Sequence, residues 1–226
     1  MDYWKHPRSL QDSWDYLSEE INPDIVLVQE AVPPPTLLNL KHYVWDEIGG
    51  NRKWGSGIFS KHPIERVEFD NNYHGSVVAG EVTLSSEVKL TVISIHAIIE
   101  HGYSIIPLHR IFSDLTLLLE GKMGKRHIIL GGDFNASLQW DEQQPGQSHR
   151  ILFERVENFG LVNCLNRFYD HPVQTYRHIE GDKPWQLDYL FLSRQLESKL
   201  EKCYVLENPT ILASSDHNPV VAHLSM

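Results

Sequence analysis

The chain has 226 residues, enough for one large core or two small ones, and its 30 acidic and 20 basic side chains give a formal charge of −10. With 41% hydrophobic and 22% charged residues it has a globular make-up, which excludes disorder and fibrous repeats. No apolar run reaches the ~18 residues of a membrane helix, the opening MDYWKHPRSL lacks the apolar centre of a secretory signal, and the acidic balance excludes a generalised basic surface for polyanions. A cytoplasmic protein without a membrane span is expected. The two cysteines, Cys164 and Cys203, lack CxxC spacing and are expected to be buried free thiols.

Leu10, Trp14, Leu17 and Ile21 recur at near-helical spacing behind Ser9 and Asp12, which resemble a capping box, so an amphipathic helix opens the chain and Asn22 and Pro23 stop it. Ile25 to Val28 is a continuous apolar run of the kind buried in a sheet, ending in Gln29 and Glu30, and the prolines at 33 to 35 forbid further pairing. GGNRKWGSG (49–57) reads as a glycine-rich loop before a short strand at Ile58 and Phe59. Strands over 76–84 and 88–95 form a hairpin through Ser85, Ser86 and Glu87, and the second delivers His96 at its end. A helix through Ile111, Phe112, Leu115, Leu118 and Leu119 closes at Gly121 and leads into a strand from His127 to Leu130, which ends in Gly131, Gly132, Asp133, Phe134 and Asn135. A helix over 148–158 and strands over 187–192, 203–206 and 219–224 complete the pattern. Without a repeat, linker or composition shift, residues 1–226 are expected to form a single α/β domain with mixed sheets.

Polar residues of catalytic type stand at the ends of several apolar strands: Glu30, His96, Asp133 with Asn135, and the pair Asp216 and His217 before the last strand. For any one of them a turn or capping role is the simpler explanation. Asp188 is harder to dismiss, because a carboxylate inside LDYLFL is expensive to bury without a cation or a hydrogen-bond partner. The set is rich in oxygen and holds no thiolate, which suits a hard cation and phosphoester chemistry rather than zinc proteolysis. Competing motifs are weak. Gly121, Gly124 and Lys125 miss the phosphate-loop spacing, HExxH and GxSxG are absent, and the SxxK of Ser86 and Lys89 lies in a hairpin turn.

DIVLVQE (24–30), GSGIFSKHPI (55–64), SIHA (94–97), GGDFNA (131–136), WQLDYLFLS (185–193) and SSDHNPVVAHL (214–224) together resemble the endonuclease/exonuclease/phosphatase superfamily with its DNase I-like fold, over about residues 10–226. The resemblance implies a four-layer α/β sandwich of two packed mixed sheets and a phosphoester hydrolase dependent on Mg²⁺ or Mn²⁺. It implies that Glu30 and Asp216 bind the metal, and that Asp133 orients or deprotonates the attacking water. Asn135 would position that aspartate or bond the phosphate. Asp188 would fix the tautomer of His217, which contacts the phosphate or acts as a base, and His96 would protonate the leaving oxygen. It also implies a first strand ending in Trp-Asn, which Met1 to Trp4 do not supply, with Asp2 the nearest substitute. That strand is therefore expected to be missing or truncated and the site impaired.

Substrate choice rests on loops. Arg52, Lys53 and Trp54, with Tyr176, Arg177, His178, Lys183 and Trp185, would offer cations for phosphates and rings for bases, the alternative being solvated charges and core aromatics. The expected partner is nucleic acid, DNA or RNA, as the substrate of a nuclease. The acidic surface and short loops over 140–148 and 177–184 favour the alternative, a phosphodiesterase or phosphatase for a small molecule or lipid headgroup. A noncatalytic binding protein is a lesser alternative. No oligomer is required.

Overall fold

The computed structural model describes residues 10–38, 42–120, 127–143, 146–177 and 184–226. The opening amphipathic pattern forms α1 (Leu10–Asp15), which continues as a wider π-helical turn, Tyr16–Ile21. It ends where Asn22 turns left-handed (φ 47°) and donates its N–H to Leu17 O at 2.9 Å. The expected cap residue Ser9 lies outside the described residues. Trp14 anchors the helix: its ring packs edge-on against Phe59 at 5.3 Å and its indole N–H donates to Val32 O at 3.0 Å.

After β1 (Ile25–Ala31) and the short α2 (Pro35–Leu38), β2 (Tyr43–Gly49) and β3 (Arg52–Ser60) pair as a hairpin. The expected loop over 49–57 is thus a turn and most of a nine-residue strand. Gly49 (φ 88°) and Gly50 (φ 64°) supply the left-handed turn. Gly55 serves close approach instead, since a Cβ there would lie 1.7 Å from Asp46 O. Arg52, Lys53 and Trp54 are accordingly strand residues.

Next come β4 (Ile64–Arg66), β5 (Val77–Thr83) and β6 (Lys89–His96), the last two forming the expected hairpin. The single helix expected over 111–119 is two, α3 (Ile105–Asp114) and α4 (Thr116–Glu120), parted at Leu115, and its expected stop, Gly121, lies outside the described residues. The remaining strands and α-helices are β7 (His127–Asp133), α5 (Leu138–Asp141), α6 (Ser148–Asn158), β8 (Leu161–Asn163), β9 (Asp188–Ser193), β10 (Leu200–Val205), α7 (Pro209–Ser214) and β11 (Val220–Leu224).

A six-stranded sheet runs β4-β5-β6-β7-β9-β8, with β6 and β7 parallel and the other pairs antiparallel. Facing it are a three-stranded sheet, β1-β3-β2, and a two-stranded one, β10-β11. Three apolar cores separate four layers. Leu108, Phe112, Leu152 and Val156 of α3 and α6 cover the outer face of the large sheet. Ile58, Val92, Leu192 and Cys203 fill the space between the sheets, and Trp14 closes the outer face of β1 and β3 over Val28 and Phe59. Burying each such side chain contributes roughly 1.5–3 kcal/mol, which makes these faces the main source of stability. Cys164 and Cys203 are buried free thiols, as expected, and their mutual hydrogen bond together with burial pushes the Cys164 thiol up, away from reactivity.

Among the described residues β1 pairs only with β3 and β11 only with β10. The expectation of a missing first strand turns on residues outside the described ones. No helix among the described residues is long and apolar enough to cross a membrane.

Candidate active site

Register across three neighbouring strands builds the floor of the site. His96 ends β6 opposite Asp133, which ends the parallel β7, and Asp133 in turn lies opposite Asp188, which begins the antiparallel β9. Strands ~4.8 Å apart thereby set an imidazole and two carboxylates side by side on one edge. Gly132 permits this approach, because at its φ of 132° a Cβ would stand 2.0 Å from Ile95 O.

Glu30 reaches the same edge from the opposing sheet by a distortion. The pairing of β1 with β3 shifts register between Val28 and Ala31, and Glu30 itself has a φ of 47°, unfavourable for a residue with a Cβ. Gln29 braces the bulge across the sandwich: its Nε2 donates to Ser94 Oγ at 2.8 Å, and that hydroxyl donates to Val28 O at 3.3 Å. Glu30 Oε1 then lies 3.7 Å from His96 Nε2, which is 3.9 Å from Asp133 Oδ2.

Asn135, also left-handed (φ 45°), folds back over Asp133. Its N–H donates to Asp133 Oδ1 at 2.8 Å and its Nδ2 to Asp133 Oδ2 at 3.0 Å and to Ala97 O at 3.1 Å. The terminal loop brings His217 down onto β9, where Nδ1 meets Asp188 Oδ2 at 2.8 Å while Nε2 lies 4.0 Å from Asp216 Oδ1. Ligand-type atoms of Asp133, Asp188 and His217 all lie within 4.8 Å of one another.

The two histidines are held in opposite charge states. Burial, with His217 and Arg52 adding to it, pushes His96 down to about 3, so its ring is neutral. Burial also opposes a charge on His217, but Asp188, Asp133 and Asp216 outweigh it and raise His217 to about 9. Asp133 is pushed up to about 7, first by burial and then by Asp188 and Glu30, against the pull of His217 and the Asn135 N–H. Among the described residues, His96 Nδ1 and Ser76 Oγ are buried without a hydrogen-bond partner.

The four residues expected to bind substrate adjoin this centre in different ways. The Arg52 guanidinium lies 5.5 Å over Trp54, whose ring meets His96 edge-on at 5.3 Å. Tyr176 packs its ring 4.8 Å from that of His217, and its backbone bridges both Trp185 and His217. Trp185 packs against Trp140 at 5.3 Å. Arg177 faces the protein: its guanidinium donates to Asn218 Oδ1 and to Ser215 O, and its N–H donates to Asp216 O at 2.8 Å, so it ties down the loop that carries Asp216 and His217. His178 and Lys183 lie outside the described residues. The sequence reading missed the brace of Gln29 and Ser94, whose only trace is a polar residue in each of two buried strands, and it missed Trp140, which carries no motif.

The donor set suits a hard divalent cation. Burial first, and then the charges of Asp188 and Glu30, hold Asp133 partly protonated near neutrality, and a bound cation would offset that cost. A His217 already protonated is a hydrogen-bond donor rather than a ligand, so the carboxylates are the groups that fit the ion.

The sequence model of the endonuclease/exonuclease/phosphatase family matches residues 10–217. No curated protein matches by sequence. Among solved structures, the chain superposes on the 3′-5′ exonuclease from Neisseria meningitidis with a TM-score of 0.72 and 20% identity, over 96% of this chain and 95% of that one. An AP endonuclease from Archaeoglobus fulgidus gives 0.72 and 17%, over 93% and 92%. The endonuclease domain of TRAS1, a telomere-specific non-LTR retrotransposon, gives 0.71 and 17%, over 97% and 94%. At these identities the likeness establishes the fold, a DNase I-like α/β sandwich.

Proposed function

Because the chain belongs to the endonuclease/exonuclease/phosphatase family and so to the phosphoester hydrolases, we propose that it is a Mg²⁺- or Mn²⁺-dependent nuclease cleaving phosphodiester bonds of DNA or RNA. The observation that carries this reading is the convergence of Asp133, Asp188 and His217 within 4.8 Å on one sheet edge, with Glu30 brought to it by a strained bulge. The similar structures include an exonuclease and two endonucleases, which favours nucleic acid over the alternative substrates.

Glu30 and Asp216 would hold the cation, Glu30 being the more open carboxylate, with 30% of its side chain exposed against 13% for Asp216. A bound cation would supply charge stabilisation at the nonbridging phosphate oxygens. Asp133, clamped by Asn135 through both oxygens, accepts a proton from the water that attacks phosphorus. As the new P–O bond forms, the bond to the leaving oxygen breaks and that oxygen takes a proton. His217 is the better donor of it, because Asp188 keeps it charged. His96, neutral and desolvated, is assigned to excluding water beside Glu30 rather than to supplying the proton.

The test is a hydrolysis screen in Mg²⁺ and in Mn²⁺ over plasmid DNA, single-stranded DNA, RNA, bis-p-nitrophenyl phosphate and inositol phosphates. Cleavage of nucleic acid that is lost in EDTA and in Asp133→Ala is expected. Activity confined to the small esters would replace the nuclease by a small-molecule phosphoesterase.

A further inference from the structure

Thr175 is a fully buried polar residue that no motif announces, on the stretch that bridges back to Trp185 just ahead of β9. Its hydroxyl oxygen accepts the N–H groups of Leu187 and Asp188, each at 2.9 Å. Its own N–H donates to Trp185 O at 2.9 Å, and its carbonyl accepts from Asn218 N at 2.7 Å. Asp188 is the carboxylate that meets His217 at 2.8 Å, and Asn218 is the residue after His217. Thr175 therefore holds both members of that pair from behind, Asp188 through its side chain and the loop of His217 through its backbone.

The bonds of the hydroxyl are not those of a regular strand. Successive N–H groups of a strand point to opposite edges, whereas those of Leu187 and Asp188 converge on one oxygen. The convergence falls where β9 begins, beside the bond from Phe134 N to Leu187 O at 2.9 Å and the register that sets Asp188 opposite Asp133. Among the described residues β8 pairs with β9 only over 191–193, so it does not reach these two N–H groups, and the Thr175 oxygen is their acceptor. A β-branched side chain is stiff at χ1, which keeps that oxygen in place. The start of β9, and with it the placing of Asp188 against His217, thus depends on one hydroxyl.

We propose that Thr175 is a positioning residue for proton delivery, setting the Asp188–His217 pair so that His217 meets the leaving oxygen. This rests on the nuclease reading with His217 as its proton donor and deepens it, naming the buried group on which the aim of that donor depends. None of the Thr175 bonds involves Glu30 or Asp216, so its loss is read in the step that needs a proton rather than in affinity for metal or substrate. Substrates differ in that need. The alkoxide released from a nucleic-acid strand takes up a proton as its P–O bond breaks, whereas p-nitrophenolate leaves as a stable anion and requires none.

The test compares kcat and KM on plasmid DNA, dT12 and rU12 with those on bis-p-nitrophenyl phosphate, in saturating Mg²⁺. The variants are Thr175→Val, which keeps the shape and removes the acceptor, Thr175→Ser, which keeps the oxygen, Asp188→Asn, and Thr175→Val combined with Asp188→Asn. Thr175→Val is expected to lower kcat on nucleic acid by about 10–100-fold, the scale of losing a partner that orients a functional group. Its KM values, and its kcat on bis-p-nitrophenyl phosphate, are expected to stay close to wild type, which also reports a folded, metal-loaded site. Thr175→Ser should restore most of the loss, and the double variant should be no slower than Asp188→Asn, because both changes act through one pair. Equal losses on both kinds of substrate, or losses that add in full, would overturn the positioning role and leave the nuclease reading standing. A wild type that hydrolyses only small esters would overturn the nuclease reading, and inositol phosphates, whose leaving oxygen is also an alkoxide, then carry the same comparison. Failure of the wild type on every substrate would overturn both.

Discussion

The two histidines at the catalytic edge stand in the same sandwich, both largely buried, yet one is neutral and the other charged. His96 ends a central strand beneath Trp54 and faces Glu30 and Asp133 at 3.7 and 3.9 Å, too far for a hydrogen bond, so burial decides and holds it down at about 3. His217 arrives on a loop and bonds Asp188 at 2.8 Å, so its carboxylate neighbours win against burial and raise it to about 9. Burial by itself does not set a charge state. One carboxylate at hydrogen-bond distance reverses it.

Removing the shared carboxylate tests this contrast most severely. Asp133→Asn is expected to lower kcat by about 10²–10⁴-fold, the range of a lost general base. In EDTA the variant's melting temperature is also expected to fall less than the wild type's between pH 6 and 8, even though the amide loses one of the two hydrogen bonds from Asn135. Asp133 is raised in the folded state, so its stabilisation is present below 3.8 and lost as pH rises through about 7, and the amide escapes that loss. Parallel melting curves for variant and wild type from pH 6 to 8 would break the account of Asp133 as a desolvated, repelled carboxylate.

Asp188→Asn separates the two histidines. We expect kcat to fall on the order of 10²-fold and the pH dependence of stability to flatten. In the wild type without metal, the share due to His217 is fully present below 6.5 and is lost as pH rises through about 9. Thermal melts in EDTA from pH 6 to 10 measure it, and parallel curves for wild type and variant would refute the pairing. His96→Gln should cost less, about tenfold in kcat, since a neutral ring supplies no proton. NMR titration of the metal-free protein should find the His96 ring unchanged from pH 5 to 8, and a midpoint near 6.5 would undo the contrast.

The smallest effect belongs to Arg177. Its guanidinium holds the loop of Asp216 and His217 from behind, so Arg177→Met is expected to lower the melting temperature by about 2–4 °C, to weaken metal binding and to slow hydrolysis a few-fold. Arg177→Lys should not restore either property, because a single ammonium cannot span the Asn218 and Ser215 oxygens as the planar fork does. A variant with a large loss of nucleic-acid affinity and an unchanged melting temperature would return Arg177 to the substrate.

Much of the architecture is legible from side-chain pattern. The runs that end in Glu30, His96 and Asp133 are strands because continuous apolar stretches between turn residues have few other ways to be buried, and the helix over 148–158 appears with the expected ends. The glycines of 49–57 misled because glycine serves both turns and close strand packing, and only the Asp46 carbonyl behind Gly55 distinguishes the two uses. Helix α3 ends at Asp114 rather than running to Gly121 because the chain turns at Leu115, a break without a proline or glycine to announce it.

Taken alone, the sequence determined which strands carry catalytic residue types, the α/β class, and an oxygen-rich, thiol-free donor set, because these follow from local pattern and composition, while the four-layer arrangement was implied by the family resemblance. Tertiary structure decided everything that depends on distance between strands remote in sequence. That includes the row of His96, Asp133 and Asp188, the bulge that aims Glu30, the opposite charges of the two histidines, the inward turn of Arg177, and the hold of the Thr175 hydroxyl on the start of β9. The physical reason is that charge state and recognition depend on neighbours a few ångströms away, and strand register, not sequence separation, chooses those neighbours.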